Sequence, residues 1–198
     1  MKNVLNNSKK GILMVTMCAT LLSFANEASF STIKDDAKRT ALTLTDVKVG
    51  NQLSIKDVNG FVLYTERIQK SGIYTKGFDL TSLPNGNYVL ELEKDVEIKT
   101  IPFTISFKNI VVDKNNETTS FKPHMRQKDN LLFITKLSPN LEAIKISVYT
   151  DNNSEYELLH SEKIAGVLAI ERVYKLEKGN YKVVISSDNK EFTKFINN

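Results

Sequence analysis

The sequence predicts an all-β chain built from two tandem copies of one domain, and three observations carry that expectation. Apolar and polar residues alternate in short runs, a period of two that belongs to half-buried strands rather than to helices. The runs are separated by turn chemistry such as Asn59-Gly60 and Asn85-Gly86, whose residues tolerate positive φ. One stretch of this grammar, Leu83-x-x-Gly86-Asn87-Tyr88, returns 93 residues later as Leu176-x-x-Gly179-Asn180-Tyr181.

The 198-residue chain opens with Lys2, Lys9 and Lys10 ahead of an apolar run from Gly11 to Ala25, with no acid before Glu27. That succession is a signal-peptide pattern. The run is shorter than the roughly 20 residues needed to span a bilayer, and Ser23 and Ala25 supply small residues for cleavage after Ala25. A lipid anchor on Cys18 would want a small residue before it, where Met17 stands. The mature chain is therefore expected to lack cysteine and transmembrane segments and to leave the cytoplasm through Sec, for the periplasm, the cell surface or the exterior. Residues 1–25 hold three of the 27 Lys and Arg and none of the 23 Asp and Glu, so the mature chain carries 24 against 23, and the pI of 9.0 comes mostly from the leader.

Residues 26–112 form the expected first domain, with its core over about 40–112. Gln52 to Asp57 places Leu53 and Ile55 on one face, Asp57-Val58-Asn59-Gly60 turns into Phe61 to Tyr64, and Gly72 to Leu80 follows as a further strand. After Leu83-Pro84-Asn85-Gly86, the run Tyr88 to Glu93 puts Tyr88, Leu90 and Leu92 inward. Ile101, Phe103, Ile105 and Phe107 alternate cleanly, but Pro102 cannot donate to a ladder, which points to a strand that lies at a sheet edge or begins there. Residues 113–120 hold no apolar residue and read as a polar linker.

The second domain, 121–198, repeats the pattern. Ile144, Ile146 and Val148 answer Leu53 and Ile55, while Val183 and Ile185 answer Leu90 and Leu92. Ala165 to Lys178 has helix formers enough for an amphipathic helix, yet its counterpart Gly72 to Leu80 is β-branched, aromatic and Gly-containing, so a strand is expected. Joined by a polar linker, the copies are expected to behave as beads on a string, each marginally stable without disulfides.

The run Leu53-Ser-Ile-Lys-Asp57-Val-Asn-Gly60, followed by Phe78-Asp79-Leu80-x-x-Leu83-Pro84-x-Gly86-Asn87-Tyr88-Val89-Leu90, resembles the C-terminal sorting domains of the type IX secretion system. It is equally similar to small secreted β-sandwich proteins of the Bacteroidota. The resemblance covers about residues 40–105 and implies immunoglobulin-like or fibronectin-III-like sandwiches of about seven strands. It records turn chemistry rather than a site.

Catalysis has little to work with. His124 and His160 sit in no recognisable frame, and the chain has no nucleophile elbow, no metalloprotease motif and no phosphate-cradling glycine loop. Asp35-Asp36 reads as a solvated pair. Asp57-x-Asn59-Gly60 mimics the start of a calcium loop but has Ile68 where a bidentate Glu would stand, and Asp151 to Glu155 is a loop of similar composition. No catalytic, cofactor-binding or metal residue is expected. Residues 31–112 carry 11 basic and 10 acidic groups and residues 121–198 carry 12 and 10, a balance that disfavours nucleic acid. The expected function is that of a secreted, non-catalytic structural or interaction module contacting a protein or a surface polymer. The alternative is an export or assembly accessory that engages a partner's sheet edge by strand addition.

Overall fold

A computed structural model describes residues 29–32, 40–107, 109–152 and 155–198. The expected leader, with Cys18 and the Ala25 cleavage site, and Asp35-Asp36 lie outside the described residues. Among those described, sixteen strands pair antiparallel throughout.

In the first unit β1 (Ser29–Thr32), β2 (Thr40–Val47) and β5 (Gly72–Phe78) form a three-stranded sheet in the order β1-β2-β5. The facing sheet runs β4 (Val62–Arg67), β3 (Gln52–Asp57), β6 (Gly86–Glu93), β7 (Glu97–Ser106) and β8 (Asn109–Val112), with β9 (Thr118–Phe121) also on β7. The second unit repeats the plan. One sheet is β10 (His124–Lys128), β11 (Leu131–Leu137) and β14 (Ala169–Lys175). The other runs β13 (Glu155–Ile164), β12 (Ile144–Asn152), β15 (Asn180–Ser187), β16 (Lys190–Asn197). Three strands facing six in the first unit and four in the second, with the third and sixth strands of each unit side by side, make a sandwich of the immunoglobulin and fibronectin III kind. Leu42, Leu44, Leu53, Ile55, Leu90, Leu92 and Phe103 fill the first core; Leu132, Ile134, Ile146, Val148, Val183 and Ile185 fill a separate second one.

The inward stripes are those the alternation predicts. Tyr88 and Tyr181 are 7% and 6% exposed. Each hydroxyl donates to the carbonyl four residues earlier, Tyr88 to Pro84 at 2.7 Å and Tyr181 to Glu177 at 3.0 Å. A buried phenol needs such a partner, and taking it from the turn just before the strand fixes the corner where the chain enters the sheet. Tyr88 pairs across the ladder with Asp57 and Tyr181 with Thr150, so Leu53 and Ile55 occupy the places of Ile146 and Val148. The segment open to a helical reading is a strand from Ala169, preceded by Gly166 at φ 72.

Three expectations are corrected. Strand β7 is not at an edge: it pairs with β6 on one side and with β9 and β8 in succession on the other. Pro102 falls between the β9 ladder, which ends at Thr100, and the β8 ladder, which starts at Phe103, so its missing N–H is not required there; its carbonyl accepts from Asp113 N at 2.9 Å. The inward stripe stops at Ile105, because Phe107 sits in the β7–β8 turn at φ 47 and is 86% exposed. Residues 113–120 are not a free tether: Asp113 caps a 3-10 turn over Lys114–Asn116, and β9 is stitched to β7. Ion pairs also reach β6 of the first unit from beyond β9. Lys190, at the start of β16, pairs with Glu91 of β6, which Lys56 also holds at 2.6 Å, and Lys122 pairs with Glu93 at 2.7 Å.

Candidate functional site

The residues that sequence reasoning weighed for chemistry are dispersed. Asp57 makes a hairpin turn, its Oδ1 accepting from Asn59 N at 2.9 Å and Phe61 N at 2.8 Å, with Gly60 at φ 81. His124 opens β10 beside a cleft of about 370 Å³ that also takes in Phe121, Leu137, Ile170 and Glu171. His124 and Glu171 both pair with Thr135, from opposite sides. They are therefore two strand spacings apart, about 10 Å, too far for direct proton transfer. Among the described residues no group of three or more His, Cys, Asp and Glu is placed to hold a metal, and no helix is long and apolar enough to cross a membrane.

Two other arrangements emerge only from the pairing. The first closes the seam between the sheets. Glu66 on β4 accepts from Tyr64 and Lys76 and, at 3.1 Å, from the Tyr74 hydroxyl; Tyr74 and Lys76 lie on β5 of the opposite sheet. Glu162 on β13 accepts from Tyr174 and from Arg172 Nε at 3.1 Å, both on β14, while His160 Nε2 stands 3.9 Å away. Glu66 pairs with Leu53 and Glu162 with Ile146, equivalent positions, so the carboxylate is repeated with the fold. Hydrogen bonds from Lys76 and Tyr64 hold the Glu66 carboxyl below its usual range. Burial would raise Glu162, but Tyr174 and Arg172 outweigh it and keep it low. Burial first, then the bond to Glu66, pushes the Tyr74 phenol up to about 12. These charges are spent on one another, which makes the cluster a clasp rather than a reactive centre.

The second arrangement covers the outward face of the second unit's four-stranded sheet. Leu158, Tyr149, Lys182 and Phe195 stand abreast on β13, β12, β15 and β16. Lys182 Nζ lies 5.7 Å from the Tyr149 ring centre and 5.6 Å from that of Tyr156, within cation–π range, and the Tyr156 and Phe195 rings are 6.0 Å apart. Phe195 is 64% exposed and Tyr156 43%.

The first unit supplies an internal control. Counting outward from the paired tyrosines, Lys56 stands where Tyr149 does, Val89 where Lys182 does, Pro102 where Phe195 does and Glu91 where Val184 does. The fold therefore does not demand aromatic residues on that face. In the first unit the face is laced by ion pairs and takes Lys190 from its neighbour, whereas in the second it presents rings to solvent. Beside it, β13 skips one residue, Leu159, between the pairs His160–Val148 and Leu158–Tyr149. The first unit skips Leu63 at the equivalent point of β4. A bulge in an outermost strand twists its free edge away from further pairing.

No family model matches the chain, and no curated protein matches it. Among solved structures it is similar to a biofilm-associated protein's BSP domain, at 14% identity and TM-score 0.25, over 86% of this chain and 29% of that one. It is also similar to the FN1–FN3 domains of chicken CNTN1, at 9% identity and TM-score 0.27, over 81% of this chain and 60% of that one. The chain thus spans less than two thirds of either.

Proposed function

We propose that the chain is a secreted, non-catalytic pair of β-sandwich domains, 26–112 and 121–198, acting as a structural or interaction module of the periplasm or cell surface, and that the outward aromatic face of the second unit is its contact surface. The carrying observation is the difference between copies: equivalent outward positions are Lys56, Val89 and Pro102 in one and Tyr149, Lys182 and Phe195 in the other. Surface rings that no packing requirement explains mark contact sites, since exposing them costs hydration that a partner recovers. The leader-like succession of Lys2, Lys9 and Lys10 before the apolar run from Gly11 to Ala25 supports export. The likeness of residues 40–105 to sorting domains supports an origin in the Bacteroidota.

A second reading, an accessory of type IX export acting by strand addition, draws on the ten-residue open strand β13. The bulge at Leu159 weighs against it and favours recognition by the sheet face. Retention of the purified chain on isolated envelopes tests the proposal. Replacing Tyr156 and Phe195 together by Ser should lower retention at least tenfold, while Phe61→Ser, in an exposed turn of the first unit, should leave it unchanged. Equal loss from both variants, or from neither, refutes the face as the contact surface.

A further inference from the structure

Building on that reading of the aromatic face, we propose that its ligand is an acidic polysaccharide in which uronate and neutral sugars alternate. The Leu158, Tyr149, Lys182 and Phe195 row crosses four strands, about 14 Å at the usual strand spacing. That step from strand to strand is close to the step from one pyranose to the next in an extended glycan. The apolar C–H faces of sugar rings can therefore lie on successive side chains without a deep cavity. The platform is open and shallow, suited to a polymer passing over it rather than to an enclosed small molecule.

Charge selects the acidic class. On the same face, Lys145 of β12 and Lys163 of β13 are directly opposite each other and both exposed. Like charges opposed across a ladder repel. A bound carboxylate between them relieves that repulsion, and about 13 Å along the strand Lys182 offers a second cation within the aromatic row. Uronates alternating with neutral sugars meet these cations at intervals and leave the rings to the uncharged residues.

Single-stranded nucleic acid also combines stacking with charge, but the face favours sugar. Asp151 and Glu191 border it, and Glu191 already accepts from Ser186 at 3.2 Å. Sugar hydroxyls can donate to such carboxylates and only alternate residues of this glycan are charged, whereas a phosphate backbone carries a charge at every residue and no donor.

Affinity electrophoresis of the full chain through hyaluronan tests this, with neutral dextran and an oligothymidylate as comparisons. Retardation is expected in hyaluronan alone, with affinity at least tenfold lower for Phe195→Ser and several-fold lower for Lys145→Ser combined with Lys163→Ser; circular dichroism would show the variants folded. Equal or tighter binding of the oligothymidylate, binding of dextran, or hyaluronan affinity indifferent to Phe195→Ser overturns the proposal. Absence of hyaluronan binding while envelope retention still depends on Tyr156 and Phe195 overturns the glycan and leaves the contact face standing. Loss of both dependences overturns the two together.

Discussion

Tyr181 anchors the second unit through a ring and a hydroxyl that can be removed separately. Tyr181→Phe keeps the buried ring but leaves the Glu177 carbonyl, now 3.0 Å from the phenol, without that donor. A net hydrogen bond of this kind is worth about 0.5–1.5 kcal/mol, and about 1 kcal/mol lowers the melting point of a domain this size by roughly 4–8 °C. Tyr181→Ala also empties the space the ring fills against Val183 and its neighbours, at about 3–5 kcal/mol for a large aromatic. A sandwich of this length has a total stability of about 4–12 kcal/mol. The Ala variant should therefore leave the second unit marginal or unfolded. Differential scanning calorimetry of the full chain follows both units, and Tyr88→Phe and Tyr88→Ala should produce the same graded pair of effects in the first. The reasoning fails if Tyr181→Phe melts like the parent, or if Tyr181→Ala retains parental stability; in that case the ring is not in the core and the register of β15 is one residue off.

Lys136 and Glu142 form an ion pair at 2.7 Å with both side chains buried, so Glu142→Ala strands a charge in the second core and should cost about 3–5 kcal/mol in urea unfolding, whereas exposed Lys48 and Asp95 should tolerate Ala within about 1 kcal/mol. Glu66 is held below its usual 4.5, so its contribution is complete above that pH and is lost as pH falls through its lowered value; Glu66→Gln should destabilise the first unit at pH 7 and flatten its acid-unfolding profile. Lys76 is raised above its usual 10.5 by its bond to Glu66, so its share is complete below that pH and is lost only as pH climbs through the raised value, which alkaline melts of Lys76→Met should show. Lys190→Met removes an ion pair between the units and should broaden the distance distribution between spin labels placed one on each unit, without lowering either melting point by more than a few degrees.

Much of this fold is local and so was legible in the sequence. The period of two and the L-x-x-G-N-Y turn located Tyr88 and Tyr181 and their stripes correctly, because burial and turn geometry act within a few residues. The repeat also resolved Ala165 to Lys178, where helix propensity and strand pairing compete and tertiary pairing wins. Pro102 misled because a proline's cost depends on which ladder rungs it interrupts, and the gap between β9 and β8 is set by residues up to 19 positions away. Residues 113–120 misled because polar composition was equated with freedom, although backbone pairing needs no apolar side chain. The aromatic face was illegible for a related reason: Tyr149, Lys182 and Phe195 become neighbours only through cross-strand register, and the bulge at Leu159 sets which side of β13 faces outward. Glu66 and Glu162 could have been noticed as Tyr-x-Glu and His-x-Glu, but their partners lie on the opposite sheets.

Site-directed thiol protection bears most directly on the central claim that the second unit's sheet face makes the contact. In a Cys18→Ser background, Phe195→Cys places a single thiol on that face, and Phe61→Cys places one on an exposed turn of the first unit. On binding to isolated envelopes, maleimide labelling at position 195 should slow at least tenfold while labelling at 61 stays unchanged. Unchanged labelling at 195 with the chain demonstrably bound, or protection at 61 instead, would contradict the account.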